Sequence, residues 1–250
     1  MQTAAAQTEI IYPETDGEPM AQNTRQAEVM MTLKENLDAL FADRDDVFVA
    51  IDHFWYPVKG HPEIRQAPDV MVVLGRPKRH RGSYRQWEEG DIPPQVVFEV
   101  VSPGNTREEW DAKLAFYEQH GVLEYYIYDP DTSEWRGYVR KGGQLVEIEV
   151  MEGWVSPLLG IRFGVGSGVD PGVYAPSGER FVGYVALRRA LEAAVARELE
   201  ARRRAEQERA EAEAARRAAE QERAEAEAAR QRAEQLAQKL RELGINPDEV

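Results

Sequence analysis

The chain has 250 residues, 42% of them apolar, and a net charge of −14; it can bury one sizeable core, and bulk electrostatics exclude a protein that coats polyanions. Cysteine is absent, which excludes disulfide frameworks and thiolate metal sites, and no apolar run approaches a membrane span, Val70 to Leu74 being among the longest. The N-terminus MQTAAAQTEI lacks a basic stretch followed by an apolar one, so a cytoplasmic protein with no membrane partner is expected.

Residues 1–21 are polar and aperiodic and read as a flexible arm. From Asn23 to Phe41 the apolar positions Val29, Met30, Leu33, Leu37, Leu40 and Phe41 recur at helical spacing. Val47 to Val58 alternates like a strand or hairpin, and Asp69 to Leu74 reads as a short buried strand. A polar connection follows over 75–94, punctuated by Pro and Gly. Gln95 to Val101 is apolar on both faces of the pleat, the pattern of a central strand covered on two sides. Thr106 with Glu109 fits a capping box, so a helix is expected over about 106–120, stopped by Gly121. Strands are expected at Glu124 to Tyr128, Trp135 to Arg140 and Gln144 to Val150, then a closing loop over 154–168 with one more short strand. The globular domain is therefore assigned to 22–183, with a mixed α/β fold.

The tail, 184–250, differs in kind. AEQERAEAEAAR occurs at 205–216 and again at 219–230, and neither Gly nor Pro interrupts the chain between Gly183 and Gly244. One continuous α-helix of roughly 90 Å is expected. Ala205, Ala212, Ala219, Ala226 and Ala233 share one heptad position that Leu240 continues, but the facing positions are divided between Glu and Ala. A weak coiled coil, giving a homo-oligomer or a partner contact, and an exposed helix held by Glu–Arg pairs are both open. This segment carries 14 Lys and Arg against 15 Asp and Glu, so the excess acid lies in 1–185.

The chemistry concentrates between Asp69 and Lys113. Asp69 opens one buried strand and Glu99 lies inside another. An ionised carboxylate there is costly unless a cation or donors meet it. Acids converging from adjacent strands are a usual way to hold a hard divalent metal through oxygen. The alternative is that Asp69 caps its strand and Glu99 pairs with an arginine. In the metal-nuclease layout written PD-(D/E)xK, a lysine stands two residues beyond the second acid; here Val101 stands there. Lys113, in the second turn of the following helix, is the available replacement, although its spacing equally permits an ion pair with Glu109. Arg76, Lys78, Arg79, His80, Arg81 and Arg85 crowd the connection before the Glu99 strand. Arg79, Arg81 and Arg85 are candidates for phosphate contacts, against the alternative of a solvated loop. Tyr84 and Trp87 are open to base stacking or to packing the loop.

Four stretches, Ala67-Pro68-Asp69-Val70, RGSYRQWEEG at 81–90, PPQVVFEVVSPGNTREEWDAKLAFYEQHGVLEYYIYDP at 93–130 and WVSPLLGIRF at 154–163, resemble the Uma family of restriction-endonuclease-like proteins over roughly residues 22–190. The resemblance implies a restriction-endonuclease-like mixed β-sheet with flanking helices, ahead of the long C-terminal helix. It implies Asp69 and Glu99 as ligands of Mg2+ or Mn2+, Lys113 as a migrated catalytic lysine, and DNA as substrate. It also suggests a further acid from the first helix, Glu28, with Glu35 serving the geometry about as well. The competing reading is a nuclease-like domain without catalysis, acting as an interaction module through its helix.

Overall fold

The computed structural model describes residues 10–15, 17, 19–242 and 244. Helix α1 (Thr24–Leu40) begins where the Asn23 side chain accepts the Gln26 N–H at 2.9 Å. It buries the expected stripe of Val29, Met30, Leu33 and Leu37. After it come β1 (Val47–Ile51), β2 (Trp55–Tyr56), β3 (Val70–Leu74), β4 (Tyr84–Arg85), β5 (Val96–Val100) and α2 (Arg107–Gln119). Then follow β6 (Glu124–Asp129), β7 (Glu134–Lys141), β8 (Gln144–Glu147), β9 (Arg162–Phe163), β10 (Val173–Tyr174) and α3 (Tyr184–Glu242).

Six strands make one mixed sheet in the order β1-β3-β5-β6-β7-β8. Only β5 and β6 run parallel, and α2 is the crossover that parallel neighbours require. Its start carries the expected capping box, Thr106 with Glu109, and it ends before Gly121, whose φ of 92° suits a residue without Cβ. The sheet separates two cores. Val70, Val72, Val96, Phe98, Tyr126 and Tyr128 pack on the α1 face. Met71, Val73, Val97, Tyr125 and Ile127 pack on the other, with Tyr117 of α2. Both faces of β5 are covered, which is why its sequence is apolar throughout.

The expected strand or hairpin over Val47 to Val58 divides. The chain turns at Asp52, φ 44°, and Trp55–Tyr56 leaves the main sheet to pair in parallel with Tyr84–Arg85. The polar connection that holds β4 is organised around Glu89, which is only 3% exposed. Arg76 and Arg81 donate to it at 3.0 and 2.7 Å, and Arg79 at 2.5 Å. Part of the N-terminal arm is anchored as well. Tyr56 donates its hydroxyl to the Pro13 carbonyl and Gly60 its N–H to the Tyr12 hydroxyl, both at 2.6 Å. Positions 1–9, 16 and 18 of the expected flexible arm lie outside the described residues.

The chain divides into two compact units, residues 1–187 and 188–250. Helix α3 runs for 59 residues and buries none of its side chains. Arg188–Glu192, Glu198–Arg202, Glu213–Arg217 and Arg216–Glu220 pair along it at i,i+4, the self-contained support that its Glu/Arg repeat provides. Among the described residues no helix is long and apolar enough to cross a membrane.

Candidate active site

Three secondary-structure elements deliver the site. β3 and β5 are antiparallel, with Val70 opposite Phe98 and Met71 opposite Val97. One step further along that register, Asp69 stands across from Glu99, and Glu99 projects to the face that α2 covers. The Val100 N–H donates to Asp69 Oδ2 at 2.6 Å. The strand end thus gives a backbone donor to a side chain. Glu99 is 1% exposed, among the apolar residues of β5.

α2 supplies the cation. Lys113 Nζ donates to Glu99 Oε2 at 2.7 Å, and one helical turn on, the Tyr117 hydroxyl donates to Glu99 Oε1 at 2.5 Å. Residues four apart share a helix face, so one element grips both oxygens of the acid. Glu109 does not compete for Lys113 as a hydrogen-bond partner: its carboxylate accepts the Thr106 N–H at 3.0 Å in the capping box. The ammonium in the site therefore comes from the helix, while Val101 holds the in-strand place.

The electrostatics follow from burial. Burial first, and the Glu99 charge second, push the Asp69 carboxyl up to about 8, against the opposing pull of Lys113, the Val100 N–H and Gln26. For Lys113, burial alone would lower the pKa, but the charges of Glu99 and Asp69 outweigh it and hold it above the ordinary lysine value. Lys113 therefore stays an ammonium at neutral pH, suited to meeting negative charge and unsuited to removing a proton. Burial, then Glu99, push the Tyr117 hydroxyl well above the tyrosine range, keeping it a donor.

The third acid suggested from α1 is not delivered to this cluster. Glu28 and Glu35 lie on the exposed face of the helix. Gln26, two residues before Glu28 and thus on the other side, is buried and directs Nε2 to Asp69 Oδ1 and Oδ2 at 3.3 and 3.4 Å. Its Oε1 accepts the Gln22 N–H at 2.9 Å. Ser102, just after β5, donates to Gln22 Oε1 at 2.6 Å and joins the start of α1 to the strand end. Sequence reasoning passed over Gln26, yet a signal existed: it continues the apolar stripe of Val29, Met30 and Leu33 with a polar side chain. Tyr117 was legible as a packing residue only.

The loop cations divide differently from the expectation. Arg81 is a correction: its side chain is 4% exposed, spent on Glu89 and seated over the Phe48 ring at 4.2 Å. It is a piece of the fold and does not present a guanidinium to solvent. Arg79 also reaches Glu89 but stays half-exposed, and Arg85 lies 3.5 Å from Glu88 and over the Tyr12 ring. Tyr84 is fully buried, its hydroxyl donating to the Ile92 carbonyl, so it packs the loop.

Among the described residues no three His, Asp or Glu side chains gather as a metal-binding group. Asp69 and Glu99 nonetheless suit a hard divalent cation of the magnesium type, which uses one or two carboxylates and completes its shell with water and phosphate oxygens. Glu99 already holds one cation, the Lys113 ammonium, whose charge also acts on Asp69.

A family model described as Uma2, putative restriction endonuclease, matches residues 7–169. No curated protein matches the chain. Among solved structures, a putative nuclease belonging to DUF820 from Anabaena variabilis ATCC 29413 aligns at 12% identity and a TM-score of 0.40, over 58% of this chain and 79% of its own.

Proposed function

The chain belongs to the Uma2 family of putative restriction endonucleases, and from that premise we propose that its globular domain is a metal-dependent nuclease hydrolysing phosphodiester bonds of DNA. The observation that carries this reading is the meeting of Asp69, Glu99 and the Lys113 ammonium at one end of the β3–β5 pair. Asp69 and Glu99 are the residues that would hold Mg2+ or Mn2+, which when bound would supply Lewis-acid chemistry at the phosphate and its attacking water.

The remaining roles belong to the chain. Lys113 keeps its proton and sets positive charge beside the phosphate, where negative charge grows in the transition state. Gln26 and the Val100 N–H orient Asp69. Arg79 and Arg85, partly exposed, are the loop cations available to flanking phosphates. An acidic chain can act on a polyanion in this way because the cations work locally.

The test is cleavage of plasmid and branched DNA with Mg2+ or Mn2+ by the wild type, Asp69→Ala and Glu99→Ala. Cleavage by the wild type alone is expected. Activity that survives both substitutions rejects the assignment.

A further inference from the structure

Glu99 is held unsymmetrically. Oε2 receives a charged donor from Lys113 and Oε1 a neutral one from Tyr117. The phenol is fully buried, its ring against Trp55, Phe116 and Tyr125 at centroid distances of 6.5, 5.9 and 4.9 Å. A ring so packed has little rotational freedom, so its hydroxyl is a fixed point in the site. Each carboxylate oxygen offers two lone pairs, and one hydrogen bond apiece leaves capacity on both.

Among the described residues the Tyr117 hydroxyl is the hydrogen-bond donor to Oε1, and without it that oxygen loses its anchor. Glu99 would then turn more of its charge toward Lys113, and a cation arriving at Asp69 would find it misaligned. Tyr125 provides the contrast. It is the neighbouring buried tyrosine on the same face of the sheet, paired with Val97 in register, and its hydroxyl has no hydrogen-bond partner among the described residues.

We propose that Tyr117 is a positioning residue that fixes the Glu99 carboxylate for a divalent cation, a role resting on the metal-dependent reading above. Its action goes through Glu99 and requires no contact with metal or substrate. Groups that orient metal ligands in this way change metal affinity by roughly 10–100-fold when removed. The predicted signature is therefore a weaker metal site that still works when filled.

The experiment is titration calorimetry of the full chain with Mn2+ for the wild type, Tyr117→Phe and Tyr125→Phe, with DNA cleavage followed across Mn2+ concentration. For Y117F the dissociation constant is expected to rise roughly 10–100-fold, while cleavage at saturating Mn2+ stays near the wild-type rate. Y125F is expected to bind Mn2+ like the wild type. The rise in melting temperature on adding Mn2+ should shrink in Y117F and persist in Y125F. Unchanged Mn2+ affinity in Y117F overturns the proposal, and so does equal weakening in Y125F, which would assign the effect to packing. A wild type that binds Mn2+ in this pattern without cutting DNA would sustain the Tyr117 role and reject the nuclease reading; one that binds no Mn2+ rejects both.

Discussion

Replacing Lys113 by methionine keeps an unbranched side chain of similar length and deletes the charge 2.7 Å from Glu99 Oε2. At that distance and an effective dielectric of about 20, the gross attraction is roughly 6 kcal/mol. The desolvation of both ions offsets much of it, and measured losses on breaking buried pairs run about 3–5 kcal/mol. We therefore predict that K113M loses roughly 3–5 kcal/mol of unfolding free energy at pH 7, out of a domain total of about 5–15 kcal/mol. The assay is urea unfolding in EDTA at pH 7. Repeating it with Mn2+ should return about 2–3 kcal/mol to K113M when the metal stands near 100 times its dissociation constant. A loss below about 1 kcal/mol at pH 7 would refute the argument that Glu99 depends on this ammonium. A full loss that Mn2+ leaves untouched would keep the ion pair and remove the metal from the site.

Glu89→Gln tests the arginine cage. Burial alone would raise this carboxyl, but hydrogen bonds from Arg81, Arg79 and Arg76 outweigh it and hold it at about 2, so its stabilisation is present above the ordinary glutamate value and is lost as pH falls toward 2. E89Q should cost about 3 kcal/mol at pH 7 and flatten the acid limb of the stability curve, read from urea midpoints between pH 2 and 7. Asp69 has the opposite sign. With its carboxyl raised to about 8, the metal-free folded state holds a proton that the unfolded chain releases near 3.9, so stability falls as pH rises from about 4 to 8. Asp69→Asn should therefore gain on the wild type between pH 5 and 8 in EDTA, and a constant difference would refute the raised value. Ser156→Ala removes the hydroxyl donor from Glu124 Oε2, which also accepts from Tyr126 at 2.9 Å; a loss of about 1–3 kcal/mol is expected in thermal melts.

Elements that depend on their own neighbours were legible in the sequence. The α1 stripe, the Thr106–Glu109 box and the doubly apolar β5 each carry their reason within a few residues. Two of the four acids buried among the described residues were legible too, because Asp69 and Glu99 stand in or beside apolar strands where a charge needs a partner, while Glu89 and Glu124 were not. Their partners were not all legible. Glu28 and Gln26 are two residues apart, and only the roll of α1 on the sheet decides which of them faces Asp69. Arg81 reads as a loop cation because composition says nothing of Glu89, eight residues later, or of Phe48 on β1. The division of Val47 to Val58 escaped for the same reason, since a two-residue strand is defined by its partner, here Tyr84–Arg85.

Three sets of buried carboxyl groups show what that allocation decides. Glu89 meets three guanidinium groups, an excess of positive charge that closes it to further cations. Glu124 meets neutral donors, the Tyr126 and Ser156 hydroxyls and the Leu158 N–H, and ties the 154–161 loop to β6. Glu99 forms an ion pair with the Lys113 ammonium, and Asp69 beside it feels the same charge. A divalent cation would relieve the third arrangement and add charge of the wrong sign to the first; in the second it would have to displace hydrogen bonds already made. Of the three arrangements, the Asp69–Glu99 pair is therefore the one that the proposed divalent cation would fit, with loss of the Asp69 proton as part of its binding.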